Sequence, residues 1–495
     1  MSLKNISIIV LYLSYNLSIA QTYFNNRYDL FTKADASADV FMKDSSYFVS
    51  CGGLDITVSN LSLSIIKLNK FGVITNAKHY FKNNNWFYTG LGNSTCLLND
   101  SVLVSTGYRV GSGTSKSFII WYKNNLDSIR YLEYGFVNRE NVVYNILNDN
   151  IGHFYQVGYV DSSNTNTDIL LIKTDTSGNE IWKKKIGLPN YDETAWCIKT
   201  SSDGKLLISG NRRLHNNQST NGAFVIKADT SGAIIWEKYF PSNYGLAATG
   251  MVELGNGDIV ALAGKGFGST ISRYELIKLD ATGNILFDKV YGPMADRAEA
   301  YSLIQNQEGN LVAAGQIYYS ANNSVNGLMY VFNQNGDSLF SREYAVQSGS
   351  QNYFRDLVQA PDKGYVFSGF ISPLFANGGT GNQDIWLLKT DSTFCEAAFN
   401  CGYPTSIAEA EALEAGEMNL MPNPTNGLLN ISSKNDFEKI ELLSLTGQVL
   451  LTETVSEKHL PITIGIQLQN FADGIYYVRV IYSNGMSVTK KVVKQ

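Results

Sequence analysis

The chain is poor in charge, histidine, cysteine and proline. Charged residues make up only 17% of its 495 residues, and the net charge is −5. No Lys/Arg-dense face stands out. Backbone neutralisation of DNA or RNA needs one, so no nucleic-acid partner is expected. The four histidines (His79, His153, His215 and His459) lie far apart. No HExxH, CxxC, EF-hand loop, G-x-S-x-G elbow or P-loop occurs. No metal or other cofactor is therefore expected. The one oxygen-rich loop, Asp161–Asp168 (DSSNTNTD), offers calcium-type ligands. It lacks the glycine and closing Glu of a calcium loop and reads as a plain polar loop. Five cysteines are an odd count, so at least one is unpaired within the chain. Cys395 and Cys401 flank a short segment after the last repeat and are the disulfide candidates. Beyond the N-terminus no apolar run approaches the length of a transmembrane helix, so none is expected in the mature chain.

Against these absences stand 43 Gly, 30 Tyr and 12% aromatic residues. That is the balance of a globular, β-leaning, turn-punctuated protein. Residues 1–20 read as a signal peptide. Lys4 gives the positive start, Ile6–Leu13 the apolar core, and Ser18-Ile19-Ala20 the small residues before cleavage at Gln21. Tyr15, Asn16 and Ser18 interrupt the run, which is too short to span a bilayer.

Self-similarity dominates residues 21–401. One stretch reads AWCIKTSSDGKLLISG from Ala195, and recurs as ATGMVELGNGDIVALAG, AYSLIQNQEGNLVAAG and FRDLVQAPDKGYVFSG. Its closing glycines, Gly52, Gly107, Gly158, Gly210, Gly264, Gly315 and Gly369, fall roughly fifty residues apart. A second stretch carries Asp175, Asp229, Asp280 or Asn333 three residues before a glycine, then Trp182, Trp236, Phe287 or Phe340. The acidic or amide side chain caps a tight turn, the glycine takes its positive φ, and the aromatic packs between sheets. Each unit has four short apolar runs, hence four strands. Seven such units predict an all-β fold, a seven-bladed β-propeller, because radial closure protects the sheet edges. Unit seven stops after Asp384–Phe394 without its fourth strand. Phe24-x-x-x-Tyr28 matches Phe287-x-x-x-Tyr291 and Phe340-x-x-x-Tyr344, so residues 22–30 are expected to complete the last blade.

These hairpins resemble those of bacterial secreted propeller repeat proteins, and distantly those of quinoprotein dehydrogenases. Without an adjacent cysteine pair or an eighth unit, the second resemblance implies no quinone cofactor. They are also reminiscent of the aspartate box of sialidases, with a longer Asp-to-Trp spacing. Residues 402–417, with four glutamates among alanines, read as an acidic linker. Residues 418–495 contain MPNPTNG from Met421, IELLSLTGQVLL from Ile440, FADGIYYVRV from Phe471 and a final basic-apolar strand. This segment resembles the C-terminal (type A) sorting domain of type IX secretion cargo. The resemblance implies a small β-sandwich that the type IX machinery recognises at the outer membrane and then removes. It also implies a secreted or outer-surface location, reached through the periplasm. The competing reading is an immunoglobulin-like binding module that stays attached.

Strand alternation places the longer connections on one face with the inter-unit crossings. These connections are Arg212–Gly222, Gln316–Gly327 and Ile371–Gln383. The crossings carry Asp192, Glu193, Arg297, Glu299, Arg355 and Asp356, the candidate ligand-binding group at the channel mouth. With no nucleophile or metal motif, a binding or adhesion protein for a glycan or protein ligand is the expected function. The alternative is a secreted polysaccharide hydrolase or lyase.

Overall fold

A computed structural model describes residues 23–30, 34–55, 60–80, 85–111, 113–161, 166–268, 271–293, 296–346, 350–372, 383–396, 418–433, 436–444, 448–455, 462–482 and 487–495. The signal segment 1–20 and the linker 402–417 lie outside them, as do positions 162–165 of the oxygen-rich loop. The described strands of the repeat region form successive antiparallel units, the sixth and seventh joined into one eight-stranded sheet by a single parallel bridge between Val325 and Gln351. Unit one pairs Ala34–Lys43, Ser46–Asp55, Asn60–Leu68 and Ile74–Tyr80 in chain order. Units three to six run Asn141–Ile186, Tyr191–Phe240, Leu246–Tyr291 and Arg297–Tyr344 in the same order. In unit two the inner strand is split into Trp86–Thr89 and Thr95–Asn99, both paired to Val102–Val110. Unit seven supplies Gln351–Gln359, Tyr365–Ser372 and Asp384–Thr390. Its fourth strand is Phe24–Tyr28, antiparallel to Asp384–Thr390 with Phe24 opposite Lys389 and Tyr28 opposite Ile385. Ser37 of unit one donates to the Gly369 carbonyl of unit seven at 2.6 Å, so the ring is closed at its inner edge too.

One repeated contact explains both the hairpin glycines and the aromatics that follow them. Trp182, Trp236 and Phe287, on the outer strands of units three, four and five, lie on the hairpin glycine of the next unit, while Phe340 of unit six packs edge-on against Phe394, unit seven having no glycine there. A Cβ added to Gly336 would stand 2.5 Å from the Phe287 ring, and one on Gly283 2.9 Å from Trp236. Those glycines have φ of 77° and 88°, so the turn needs glycine for its backbone as well as for space. A tyrosine at the end of the outer strand donates to a hairpin carbonyl of the next unit: Tyr134 to Gly178 at 2.8 Å, Tyr291 to Gly336, Tyr344 to Phe394 at 2.7 Å. The N-terminal strand does the same. Phe24 covers Gly72, which would place a Cβ 2.8 Å from its ring, and Tyr28 donates to the Gly72 carbonyl at 2.6 Å. Asp229 and Asp280 accept from the turn amides of their own hairpins, at 2.8 and 3.0 Å and at 2.9 Å.

Two connections are shorter than their polar sequences suggest. The strands flanking Gln316–Gly327 extend to Tyr319 and from Ser324, and those flanking Arg212–Gly222 to Leu214 and from Gly222. Backbone groups pair along the ladder whatever the side chains, so polar residues there do not make a loop. Residues 373–382 of the third connection lie outside the described residues.

The C-terminal part stacks a three-stranded sheet (Met418–Met421, Leu428–Ser433, Ile462–Gln467) on a four-stranded one (Val449–Thr454, Phe437–Leu443, Gly474–Tyr482, Ser487–Lys494). Its core is its own, built on Leu429, Ile431, Phe437, Ile440, Val478 and Val492. Asn423 ties the PNP turn to the last strand. It donates to the Lys491 carbonyl and accepts from the Val493 amide, both at 2.9 Å. Among the described residues no helix is long and apolar enough to cross a membrane.

Candidate functional site

The recurrent closing glycine shapes the axis. On Gly369 a Cβ would meet the Tyr353 carbonyl oxygen at 1.7 Å, and on Gly158 that of Val142 at 1.9 Å. Only glycine lets the second strand approach the inner one this closely, and at each such point the inner strand bulges. The register breaks between Val143 and Asn145, Ala195 and Cys197, Ala300 and Ser302, and Phe354 and Asp356. The extra residues are Tyr144, Trp196, Tyr301 and Arg355, one from each of four inner strands. A bulge re-aims its extra side chain, here toward the axis that the inner strands surround.

These residues form two walls. Tyr144 and Trp196 stack at 4.2 Å, and Tyr108 packs edge-on to Tyr144 at 6.2 Å while stacking on Tyr88 at 4.8 Å. The Trp196 indole N–H is held by Asn211 at 2.7 Å. In the other wall the Arg355 guanidinium lies 4.0 Å over the Tyr301 ring, 5.2 Å from Phe370 and 5.7 Å from Tyr353. Its Nη1 is buried without a hydrogen-bond partner. Tyr301 donates to Glu299 at 2.7 Å, and burial raises its phenol to about 12. The break in unit two's inner strand supplies a floor. Leu91 donates to the Tyr144 carbonyl at 2.9 Å, Gly92 to that of Ala38 at 2.8 Å, and Lys199 to the Asn93 side chain at 2.7 Å. A loop bonded to units one, three and four lies across the axis, so the mouth is a cup with a floor.

The six charged residues expected at the mouth divide into three groups. Arg297 pairs with Glu299, and Glu299 also accepts from Tyr301 and from Gln316 at 2.8 Å, so these two join Arg355 around Tyr301. Asp192 and Glu193 form a separate network in unit four. Asp192 binds Arg213 at 3.2 Å and His215 at 2.9 Å, and Glu193 binds Arg212 at 2.8 Å. Glu193 is fully buried, which lifts its carboxyl to about 7 against the pull of Arg212. Asp356 faces the seam between units seven and one. It accepts from Ser302 at 2.7 Å and the Val40 amide at 3.2 Å, and is hydrogen-bonded to Asp39. The aromatic positions carry no catalytic or ligand motif that the sequence alone marks out. Their signal was present in the aligned repeats, where the second column reads Trp196, Thr249, Tyr301 and Arg355.

Asp39 and Asp356 are both buried, so they cannot both ionise cheaply. Asp356 holds its donors from Ser302 and Val40, and Asp39 keeps the proton. Burial first, and then the charge of Asp356, hold the Asp39 carboxyl well above the usual carboxylate range. A group whose folded pKa is raised gives stability that is complete below its unfolded value and is lost as pH rises through the folded value. Asp39→Asn should therefore flatten the fall of Tm with rising pH, by at most about 1.4 kcal/mol per pH unit, one proton's worth. Melting curves from pH 4 to 9 check this. An unchanged slope in the variant would mean that no proton is shared.

Cys395 is disulfide-bonded, and Cys51, Cys96 and Cys197 are free thiols. Cys401, its expected partner, lies outside the described residues.

Antiparallel four-stranded units closed around a floored mouth, followed by a small two-sheet module, make this chain a β-propeller protein with a C-terminal β domain. That domain is a type IX sorting domain: residues 419–495 match the family described as the secretion system C-terminal sorting domain. Such a domain marks a secreted or cell-surface protein. No curated protein matches the chain. Among solved structures it is similar to PorZ of Porphyromonas gingivalis, an essential bacterial surface component of the type IX secretion system. The identity is 10%, covering 92% of this chain and 59% of that one, with a TM-score of 0.39. It is also similar to the propeller domain of the Trilobed protease from Pyrococcus furiosus, described as having an open velcro topology. There the identity is 12%, covering 74% and 98%, with a TM-score of 0.43. A third is an ulvan lyase of polysaccharide lyase family PL25, at 7% identity, covering 73% and 95%, with a TM-score of 0.48.

Proposed function

We propose that this protein is exported by its N-terminal signal and its sorting domain to bind an acidic glycan in the propeller mouth, without cleaving it. The observation that carries this reading is Arg355, clasped by three rings with Nη1 lacking an acceptor, opposite a wall of stacked aromatics. Flat aromatic faces suit the apolar faces of sugar rings, and a preorganised guanidinium suits a carboxylate or sulfate. Gel retention on neutral and acidic polysaccharides tests it. Trp196→Ala should weaken retention on all bound polysaccharides, and Arg355→Gln only on acidic ones, each at least about tenfold, with Tm within a few degrees of the parent. Parent-like retention by both variants would place the ligand elsewhere.

A second reading is a lyase, since Glu299, Tyr301 and Arg355 together could neutralise a uronate and move a proton. With its phenol raised by burial to about 12, Tyr301 stays protonated at neutral pH and is a poor base. Release of unsaturated fragments, abolished by Tyr301→Phe, would favour the lyase over the binding protein.

A further inference from the structure

The wall of the mouth has a gap at unit five. Trp196 of unit four and Tyr301 of unit six stand on either side, but the same column holds Thr249, whose hydroxyl donates to the Ala300 carbonyl at 3.0 Å. The inner strand of unit five also stands off from its neighbour. Its register runs from Leu246 opposite Gly264 straight to Gly250 opposite Leu262, and a Cβ on Gly264 would meet the Leu246 side chain and not a carbonyl oxygen. Beyond this gap two connections of the mouth face meet. The crossing from unit four carries Tyr244, the second-to-third connection of unit five carries Phe267, and a bridge between Asn243 and Phe267 joins them. Both rings reach water: Tyr244 is 41% exposed and Phe267 52%. Tyr244 holds a φ of 57°, a left-handed conformation uncommon for tyrosine, so the fold presents that ring against its backbone preference. The Arg273 guanidinium lies 4.9 Å from the centre of the Phe267 ring. Arg212, Arg213 and Arg297 on the same face each pair with a carboxylate. Among the described residues Arg273 has no such pair, and its Nε is buried without a hydrogen-bond partner. Glu275 and Asp288 of the same unit are both taken up by Lys265, at 2.6 and 3.3 Å.

We propose that Tyr244, Phe267 and Arg273 form a second subsite for the acidic glycan, so that the bound chain leaves the mouth through the gap at unit five and lies over that unit. This rests on the glycan-binding reading of the mouth and extends it to a run of several sugars. Exposed rings offer flat apolar faces to sugars, and a guanidinium held over one of them with no carboxylate of its own suits a carboxylate or sulfate. The floor favours the same route, since a chain held in the mouth cannot pass along the axis and must leave across the face. Arg273 stands on the third strand of its unit, Ser272–Leu279, about 10 Å out from the inner strand at two strand spacings. A short oligosaccharide fills one of the two places, and a longer one fills both. Once the mouth is occupied, the platform meets the rest of the same chain at high effective concentration.

The test is calorimetric titration of the full chain with oligosaccharides of two and six residues. Oligogalacturonates serve as carboxylate probes and heparin oligosaccharides as sulfate probes. In at least one series the parent should bind the hexamer at least about tenfold more tightly than the dimer. Phe267→Ala and Arg273→Gln should each reduce that advantage to about twofold or less. Both side chains are partly exposed, so both variants should fold, and either decides the matter if the other does not. The inference is overturned if the parent gains nothing from length in either series, or if a folded variant keeps the parent's advantage. Arg355→Gln tells this failure from failure of the mouth itself, because it should weaken dimer and hexamer alike. If it does so while the platform variants keep the advantage, only the second subsite falls. If Arg355→Gln also binds both lengths as the parent does, the reading of the mouth falls with it.

Discussion

A chain lacking residues 22–30 should melt on the order of 10 °C below the parent, across the whole propeller and not only its last blade. Nine residues at a terminus usually fray at little cost. Here Phe24 is buried, edge-on to Tyr47 at 6.0 Å and over Gly72, and Asn25 accepts from the Trp386 indole at 2.7 Å. Removing a buried Phe alone costs about 3–5 kcal/mol. The deletion also strips the ladder from Asp384–Thr390 and leaves Arg27's partner, Asp384, a buried unpaired charge. Because the strand spans units seven and one, its loss opens a seam that every other unit relies on for closure. Calorimetry of the truncated chain checks this. A Tm equal to the parent's would mean that the seam is held without the strand, and Phe24→Ala would then be silent too.

The second large effect concerns export. In the native cell, a chain ending at residue 417 should fold but stay inside, with the outside amount falling to background. The protein recovered outside from the full chain should lack 419–495. The sorting domain has its own core and shares none of its buried cluster with the propeller, so its removal should leave the propeller's Tm within a few degrees. Intact mass and immunoblots of cell and medium fractions read both outcomes. An extracellular mass that includes Lys494 would show that the tail is retained, and export of the truncated chain would show that sorting lies elsewhere.

What the sequence determined by itself was whatever repeats or is read locally. Turn chemistry is local, so Asp229 to Gly232 announced a hairpin before any neighbour was known. The missing fourth strand of unit seven and the Phe24/Tyr28 pair were legible because units five and six each set an aromatic and a tyrosine against the next hairpin and the N-terminal strand repeats this against Gly72. The tail was legible for a like reason: the PNP turn and the final strand are local patterns, which Asn423 bonds to one another. What only the tertiary structure decided was which side chains share a space. Charge at a crossing says nothing about its partner. Glu193 proved to be spent on Arg212, Asp356 on Asp39, and Arg355 to lie among rings from its own unit and from unit six with its Nη1 lacking a partner. Those outcomes depend on bulges that move one side chain per inner strand to the axis, and on a loop from unit two that crosses it. The bulges form within each unit, but the stacking of Tyr144 on Trp196 and of Arg355 on Tyr301, and the bonds of the loop to units one, three and four, join residues more than fifty positions apart. No spacing along a single unit encodes those partners, because they meet only when the units close into a ring.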